Sequence, residues 1–253
     1  MDFEVLDNNH PHENTEHTPE RPLTVSPAVV KRLPRYYRYL RELITQGRTR
    51  ISSGELSAMM NVTASQIRQD LNCFGGFGQQ GYGYNVNYLF ARISDILGVG
   101  KGFHAVIIGA GDLGRALVHL SMFEKRGVDI IGMFDTGEGQ VGQSVAGIDV
   151  RALDTLETFC AEHPVDIAVI TCPKEQVKDI ADRLVALGVK GLWNYMGVEL
   201  KYNRREIVVE NVHLGDSLMI LNYKIASRDE ELGNVADADL VQDISPDGKD
   251  EDA

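Results

Sequence analysis

Three glycines and one aspartate carry the clearest chemistry in this chain. Gly109, Gly111 and Gly114 stand at G-x-G-x-x-G spacing inside "VIIGAGDLGRAL" (106–117). That spacing suits a phosphate-binding turn between a strand and a helix. The first glycine permits the tight turn, the second lets the backbone approach a pyrophosphate, and the third lets helix and strand pack closely. Ala110, Asp112 and Leu113 complete the turn. A helix starting near Asp112 offers N–H groups and the positive end of its dipole to the phosphates. The acidic side chain of Asp112 is expected to point outward. Asp135 lies 21 residues past Gly114 and closes the next apolar run. A carboxylate there accepts from a ribose hydroxyl and repels a 2′-phosphate, so NAD(H) is expected over NADP(H).

Hydride transfer needs a general acid or base beside a substrate carbonyl. His104 falls in the first strand of this region and His119 on its first helix; both read as structural. His163 precedes a proline in a loop, and His213 follows the last strand. No substrate domain is expected after the sheet. The expectation is a protein that binds the dinucleotide without turning it over. A small NAD-dependent oxidoreductase carrying an N-terminal interaction domain stands as the alternative.

A second constellation precedes the glycines. Residues 26–90 hold Lys31, Arg32, Arg35, Arg38, Arg41, Arg48, Arg50 and Arg68 against Glu42, Glu55 and Asp70. The whole chain of 253 residues has a formal charge of -12, which by itself argues against a nucleic-acid partner. The acids are concentrated at the ends, however, and without residues 1–25 and 227–253 the chain has 21 acids and 22 bases. The excess of positive charge is therefore local to 26–90.

The elements that position these residues can be read from pattern. Ala28–Arg32 suits a short helical turn, and Pro34 the first turn of a new helix, where its missing N–H costs nothing. Tyr37, Leu40, Leu43 and Ile44 continue that helix to Gly47. Ser52 with Glu55 forms a capping box, and Thr63 with Gln66 repeats it. Asn61 and Val62 make the tight turn between two short helices. In the second, Ile67 and Leu71 face inward, while Ser65, Gln66, Arg68, Gln69 and Asn72 face out. This is a helix-turn-helix pattern spanning about Tyr36 to Gly75. "FGGFGQQGYGYNV" alternates glycines with Phe74, Phe77, Tyr82 and Tyr84, which suits the wing of a winged helix. From His104 onward apolar strands alternate with helices, the pattern of a doubly wound parallel sheet.

The expected class is α/β: an N-terminal winged helix-turn-helix domain, then a Rossmann-like doubly wound parallel sheet domain, then a C-terminal helix. Its expected parts are a disordered tail (1–25), the winged helix (26–86), a linker helix (87–102), the Rossmann-like domain (103–212), a C-terminal helix (213–226) and an acidic disordered tail (227–253). No metal site is expected: His10, His12 and His17 read as a solvated tail, and Cys73, Cys160 and Cys172 lack metal-type spacing. Without a signal-like start or an apolar run of roughly 18 residues, a cytoplasmic, reduced protein that crosses no membrane is expected.

Both halves together resemble the Rex family of bacterial redox-sensing repressors. The matching stretches are "RLPRYYRYLREL", "ISSGELSAMMNVTASQIRQDL", "FGGFGQQGYGYNV", "IGAGDLGRAL", "ADRLVALGVKGLWNY" and "VVENVHL", within about Ser26 to Ile225. The resemblance implies a homodimer on a palindromic double-stranded operator of the TTGTG…CACAA type. It implies a C-terminal helix exchanged between subunits, and release from DNA on NADH binding. It implies that Thr63 to Asn72 is the recognition helix, with Arg68 reading guanine and Gln69 able to read adenine. Ser65 and Gln66 would lie beside them, with Arg32, Arg35 and Arg50 on phosphates and Gly81 and Gly83 in the wing. Thr171, Cys172, Pro173 and Asn194 would join the glycine turn and Asp135 around the cofactor.

This chain departs from the family's pattern at four places. Gln69 replaces a lysine, and "FDTGEG" keeps only Asp135 of D-x-D-P. Leu120 aligns with a tyrosine near the nicotinamide, and His213 with an aspartate. In the family that aspartate pairs with the arginine aligned to Arg38 or with the tyrosine, so Arg38, Leu120 and His213 mark the switch. A paralogue with lost or altered NADH switching is the further alternative.

Overall fold

The computed structural model describes residues 26–73, 78–79 and 82–242. The expected tail at 1–25, with its three histidines, lies outside the described residues, as do Phe74, Gly75, Gly76, Phe77, Gly81 and residues 243–253. The chain divides into two compact units on either side of the Val99–Gly100 bond.

The first unit runs α1 (Pro27–Thr45), β1 (Arg50–Ile51), α2 (Ser53–Met60), α3 (Ala64–Asn72), β2 (Gly78–Gln79), β3 (Gly83–Asn85) and α4 (Val86–Leu97). α1 is one helix, not a turn followed by a second helix at Pro34. Ser26 caps it, Pro27 opens it, and Pro34 sits inside it on an exposed face. An interior proline loses one hydrogen bond and crowds the preceding turn. The apolar stripe Val29, Leu33, Tyr36, Tyr37, Leu40 and Leu43 continues across it and is buried, which offsets that cost. α4, expected as a linker, packs into this unit instead. Its Leu89 and Ile93 are fully buried, and Phe90 stacks on Tyr37 with ring centroids 4.8 Å apart. The strands form an antiparallel sheet of order β1-β3-β2, and β2 with β3 is the hairpin of the wing.

The second unit holds β4 (Phe103–Ile108), α5 (Asp112–Val118), β5 (Val128–Asp135), β6 (Ser144–Val145), β7 (Ile148–Ala152), α6 (Leu156–Glu162), β8 (Ile167–Ile170), α7 (Val177–Ala186), β9 (Gly191–Asn194), β10 (Val208–Asn211) and α8 (Leu214–Gln242). Strand order is β10-β9-β8-β4-β5-β7-β6, parallel throughout except for the β6 edge. The chain winds from β4 to one side, then crosses back to fill the other. This is the doubly wound dinucleotide-binding order, with its switch point between β4 and β8. Ala105 to Ile108 and Ala168 to Ile170 are buried, as parallel strands covered on both faces require.

Three element boundaries differ from the sequence reading. The β6–β7 hairpin was not foreseen; Ala146 (φ 49) and Gly147 (φ 84) make its two-residue turn, both with positive φ. α5 stops at Val118, so His119, expected on this helix, caps its C-terminus. α8 continues to Gln242 instead of ending at 226, because residues 227–242 contain no proline and several good helix formers. Its Leu218, Met219 and Tyr223 are exposed in the single chain. Among the described residues no helix is long and apolar enough to cross a membrane, and no group of His, Cys, Asp or Glu is placed to hold a metal.

Candidate nucleic-acid and dinucleotide sites

α2 and α3 make the helix-turn-helix. The box at α2 is complete: Ser52 Oγ accepts from Glu55 N at 3.1 Å, and Glu55 Oε2 accepts from Ser52 N at 2.8 Å. Arg48 also donates to Glu55, and these hydrogen bonds hold its carboxyl down at about 2. Asn61 supplies the left-handed residue of the turn (φ 49). The box expected at α3 is only half made. Thr63 Oγ1 accepts from Gln66 N, but the Gln66 side chain turns to Asp70 instead.

The outward face of α3 carries Ser65, Arg68, Gln69 and Asn72, all exposed, with Gln66 half-buried. Arg68 makes one long hydrogen bond, 3.3 Å to Ser53 Oγ, and otherwise projects from the helix. Arg50 donates to Tyr82 O at 3.2 Å and lies over the Tyr82 ring, 5.8 Å from its centroid. Arg35 donates to the Met60 carbonyl at the end of α2. Arg32 was expected to contact phosphate, but its guanidinium is engaged elsewhere. Nε donates to Asp70 Oδ2 at 2.7 Å and Nη2 to Asp70 Oδ1 at 2.6 Å. Gly83 was expected to let backbone approach DNA. A Cβ there would lie 2.6 Å from the Ile51 carbonyl oxygen, so its small size serves the β1–β3 pairing.

Asp70 itself escaped the sequence reading. It is 1% exposed and accepts from Arg32, Tyr36 Oη (2.9 Å) and Gln66 Nε2 (2.9 Å). Burial pushes its carboxyl up, but these hydrogen bonds outweigh burial and hold it below the usual range. Burial and the carboxylate together raise Tyr36. The signal in the sequence was an acid on an otherwise cationic, outward-facing helix, three residues from Ile67 on its buried side.

In the second unit the three glycines do three different things. Gly109 has φ +111, and a Cβ there would lie 2.6 Å from Thr171 C and Cys172 N. A Cβ on Gly114 would strike the Gly109 carbonyl oxygen and lie 3.0 Å from Thr171 Oγ1. A Cβ on Gly111 would meet nothing within 4 Å. The turn is thus closed on the sheet by its first and third glycines and open at its second. No side chain caps the N-terminus of α5, which Asp112 begins exposed and Leu113 follows half-buried. This is the arrangement a pyrophosphate needs.

Asp135 ends β5 with its carboxylate turned to the glycine turn. Oδ2 accepts from Ala110 N at 2.5 Å and Oδ1 from Gly137 N at 2.7 Å. Arg115, unassigned from sequence, holds the carbonyl side of the same residue. Its Nε donates to Ala110 O at 2.8 Å, and its Nη2 to Gln140 Oε1 and Gln143 Oε1. The turn and the loop after β5 are therefore knitted together. A cleft beside them is lined by Gly109, Asp135, Thr136, Cys172, Pro173 and Gln176.

Thr171 joins the two strand ends at the switch point: its Oγ1 donates to the Ile108 and Gly109 carbonyls at 3.1 and 2.9 Å. Cys172 is buried, and burial pushes its thiol up to about 11. Asn194, expected near the cofactor, is 1% exposed. Its amide donates to Val198 O and Asn211 Oδ1, and its Oδ1 accepts from Met196 N. Those bonds shape the loop after β9. Leu120 lies past the end of α5 and is 48% exposed; His213 just precedes α8 and is exposed, as is Arg38 on α1. A surface leucine with no hydrogen-bonding group now stands where the resemblance places a tyrosine.

Comparison with known proteins covers both units. The family described as "Putative DNA-binding protein N-terminus" matches residues 24–72, and the one described as "CoA binding domain" matches residues 101–197. A redox-sensing transcriptional repressor Rex from Thermoanaerobacter sp. (strain X514) is 48% identical over 208 residues, 82% of this chain and 92% of that protein. The repressor of the same name from Clostridium botulinum (strain Alaska E43 / Type E3) is 46% identical over 201 residues, 79% of this chain and 95% of that one. Among solved structures, RSP in complex with β-NAD+ and operator DNA is 46% identical with a TM-score of 0.76, covering 85% of this chain and 97% of RSP. RSP in complex with β-NADH gives 43% identity and a TM-score of 0.75, covering 84% of this chain and 98% of RSP.

Proposed function

The chain belongs to the Rex family of redox-sensing transcriptional repressors, and on that premise we propose that it binds a palindromic operator as a cytoplasmic homodimer and reports the NADH/NAD+ poise. The observation that carries this reading is one chain holding both a helix-turn-helix whose second helix projects Arg68 outward and an open glycine turn at a sheet switch point. α3 would enter the major groove, with Arg68 forking onto guanine O6 and N7 and Gln69, Gln66 and Ser65 beside it. Two such helices in a dimer would read successive major grooves of a palindrome. Arg35 and Arg50 would lie along the phosphates, making affinity strongly salt-dependent.

In the second unit, Gly109, Ala110, Gly111, Asp112, Leu113 and Gly114 would hold the pyrophosphate of NAD(H), and Asp135 the adenosine ribose. Thr171, Cys172 and Pro173 would border the site. When bound, the dinucleotide supplies a nicotinamide whose charge differs between its two redox forms. The protein converts that difference into DNA affinity only if the released arrangement binds NADH more tightly than the operator-bound one does. The relatives at 46–48% identity are transcriptional repressors, which fits a dinucleotide read as a signal rather than a substrate.

A second reading is favoured by Leu120 and His213. A leucine side chain donates no hydrogen bond, and a histidine cannot supply the carboxylate of a carboxylate–guanidinium pair. A member of the family with an altered NADH response has this pattern. Mobility shift on a TTGTG…CACAA palindrome at fixed salt, titrated with NADH and NAD+, separates the two. Binding released by NADH supports the sensing repressor. Binding indifferent to saturating NADH supports the altered member, and failure to prefer the palindrome overturns both.

A further inference from the structure

The carboxylate of Asp70 is out of place on a surface built for DNA. A lone acid on the recognition helix would repel phosphate, yet this one is buried beneath the reading face and saturated with donors. Arg32 forks onto both of its oxygens, at 2.7 and 2.6 Å; Tyr36 Oη donates to Oδ2 and Gln66 Nε2 to Oδ1, each at 2.9 Å. Arg32 and Tyr36 are four residues apart on α1, and Gln66 and Asp70 four apart on α3. Each pair shares one helical face. The bidentate fork is planar and directional, unlike a lysine contact.

We infer that Asp70 is a specificity-determining positioning residue, locking the recognition helix to α1 through Arg32 and Tyr36 and fixing which way the Gln66 amide faces. A carboxylate only accepts, so Gln66 must turn its NH2 group toward Asp70. Its carbonyl oxygen and second amide hydrogen are then left together, which is the pair that the N6 and N7 edge of adenine requires. The Arg32–Asp70 pair is neutral as a unit, so it adds no net attraction to DNA. Removing Arg32 leaves a buried carboxylate without its countercharge, which is the costly way to break such a pair. Arg32 thereby acts as a strut and not as a phosphate contact.

The inference rests on the operator-binding reading, and the test keeps the two apart. Full-length wild type, Arg32→Ala, Asp70→Asn, Tyr36→Phe, Gln66→Ala and the Asp70→Asn/Gln66→Ala double variant are titrated against the palindrome and a random duplex over a salt series. Thermal melting of each variant sets the assay temperature. The inference expects the specific-to-random ratio to fall at least tenfold in Arg32→Ala and Asp70→Asn, and about threefold in Tyr36→Phe, which keeps the ion pair and so keeps the fold. It expects the salt slope of Arg32→Ala to match wild type. At the base pair relaxed by Gln66→Ala, adding Asp70→Asn should relax nothing further, an outcome that a purely structural role does not produce. A slope shallower by about 0.9 per lost contact, with equal weakening on both duplexes, makes Arg32 a phosphate contact and overturns the inference. An unchanged ratio in Tyr36→Phe and Asp70→Asn also overturns it. Wild type that does not prefer the palindrome overturns the operator-binding reading as well.

Discussion

Replacing Gly111 by alanine tests the division of labour within the glycine turn. Gly111 lies at φ -70 and ψ -174, a conformation alanine adopts freely, and its added methyl meets nothing within 4 Å. Removing glycine's freedom in the unfolded chain stabilises by about 0.4–1 kcal/mol. Alanine is a poorer N-cap than glycine, by about half a kcal/mol, which offsets most of that gain. The melting temperature of Gly111→Ala should therefore stay within roughly 2 °C of wild type. At the proposed pyrophosphate site its methyl would nevertheless stand where a phosphate oxygen approaches backbone N–H groups. Loss of one charge-assisted hydrogen bond costs about 1.5–3 kcal/mol, a roughly 10- to 150-fold weaker Kd for NADH. Gly114→Ala should behave in the opposite way. Its Cβ strikes the Gly109 carbonyl and displaces the Thr171 hydrogen bond to it. Overpacking of about 1–3 kcal/mol plus about 1 kcal/mol for that bond lowers the melting temperature by roughly 4–16 °C. Calorimetric melting and isothermal titration with NADH, on both variants, give the readouts. Wild-type NADH affinity in Gly111→Ala, or a melting temperature lowered as far as in Gly114→Ala, would refute this assignment of roles.

Three further outcomes are expected. Arg68→Ala should lose about 1–3 kcal/mol of binding to the palindrome while leaving random DNA nearly unaffected; equal loss on both in a mobility shift counts against a base-reading role. Leu120→Tyr combined with His213→Asp should lower the NADH concentration that releases the operator, and an unchanged titration midpoint argues against Leu120 and His213 as the switch positions. Burial of Cys172 raises its thiol to about 11, so at pH 8 only about one molecule in a thousand carries the thiolate that reacts. Mass spectrometry after brief iodoacetamide treatment at pH 8 should find exposed Cys73 alkylated and Cys172 intact, with Cys172 labelling appearing as the pH rises toward 11. Early labelling of Cys172 would show that its strand end opens to solvent.

The sequence by itself determined what local rules determine. The spacing of Gly109 and Gly114 marked the turn, because only glycine tolerates φ +111 or a carbonyl pressed against its Cα. Ser52 and Glu55 marked a helix start, since a capping box lies within four residues. Alternating apolar strands and helices implied the doubly wound sheet, because parallel strands need crossovers. Long-range partners were decided only by tertiary structure. Arg32 read as a phosphate contact until Asp70, 38 residues away, proved to hold its guanidinium. Gln66 read as half of a capping box until the same carboxylate drew its amide away. Pro34 read as a helix start because local steric cost was visible and the buried stripe joining Val29 to Leu43 had no visible partner. Arg115 carried no signal, since its partners Gln140 and Gln143 sit in a loop that the fold alone brings to the turn. A hydrogen bond between distant segments depends on where both backbones end up, and no periodicity within either segment encodes that.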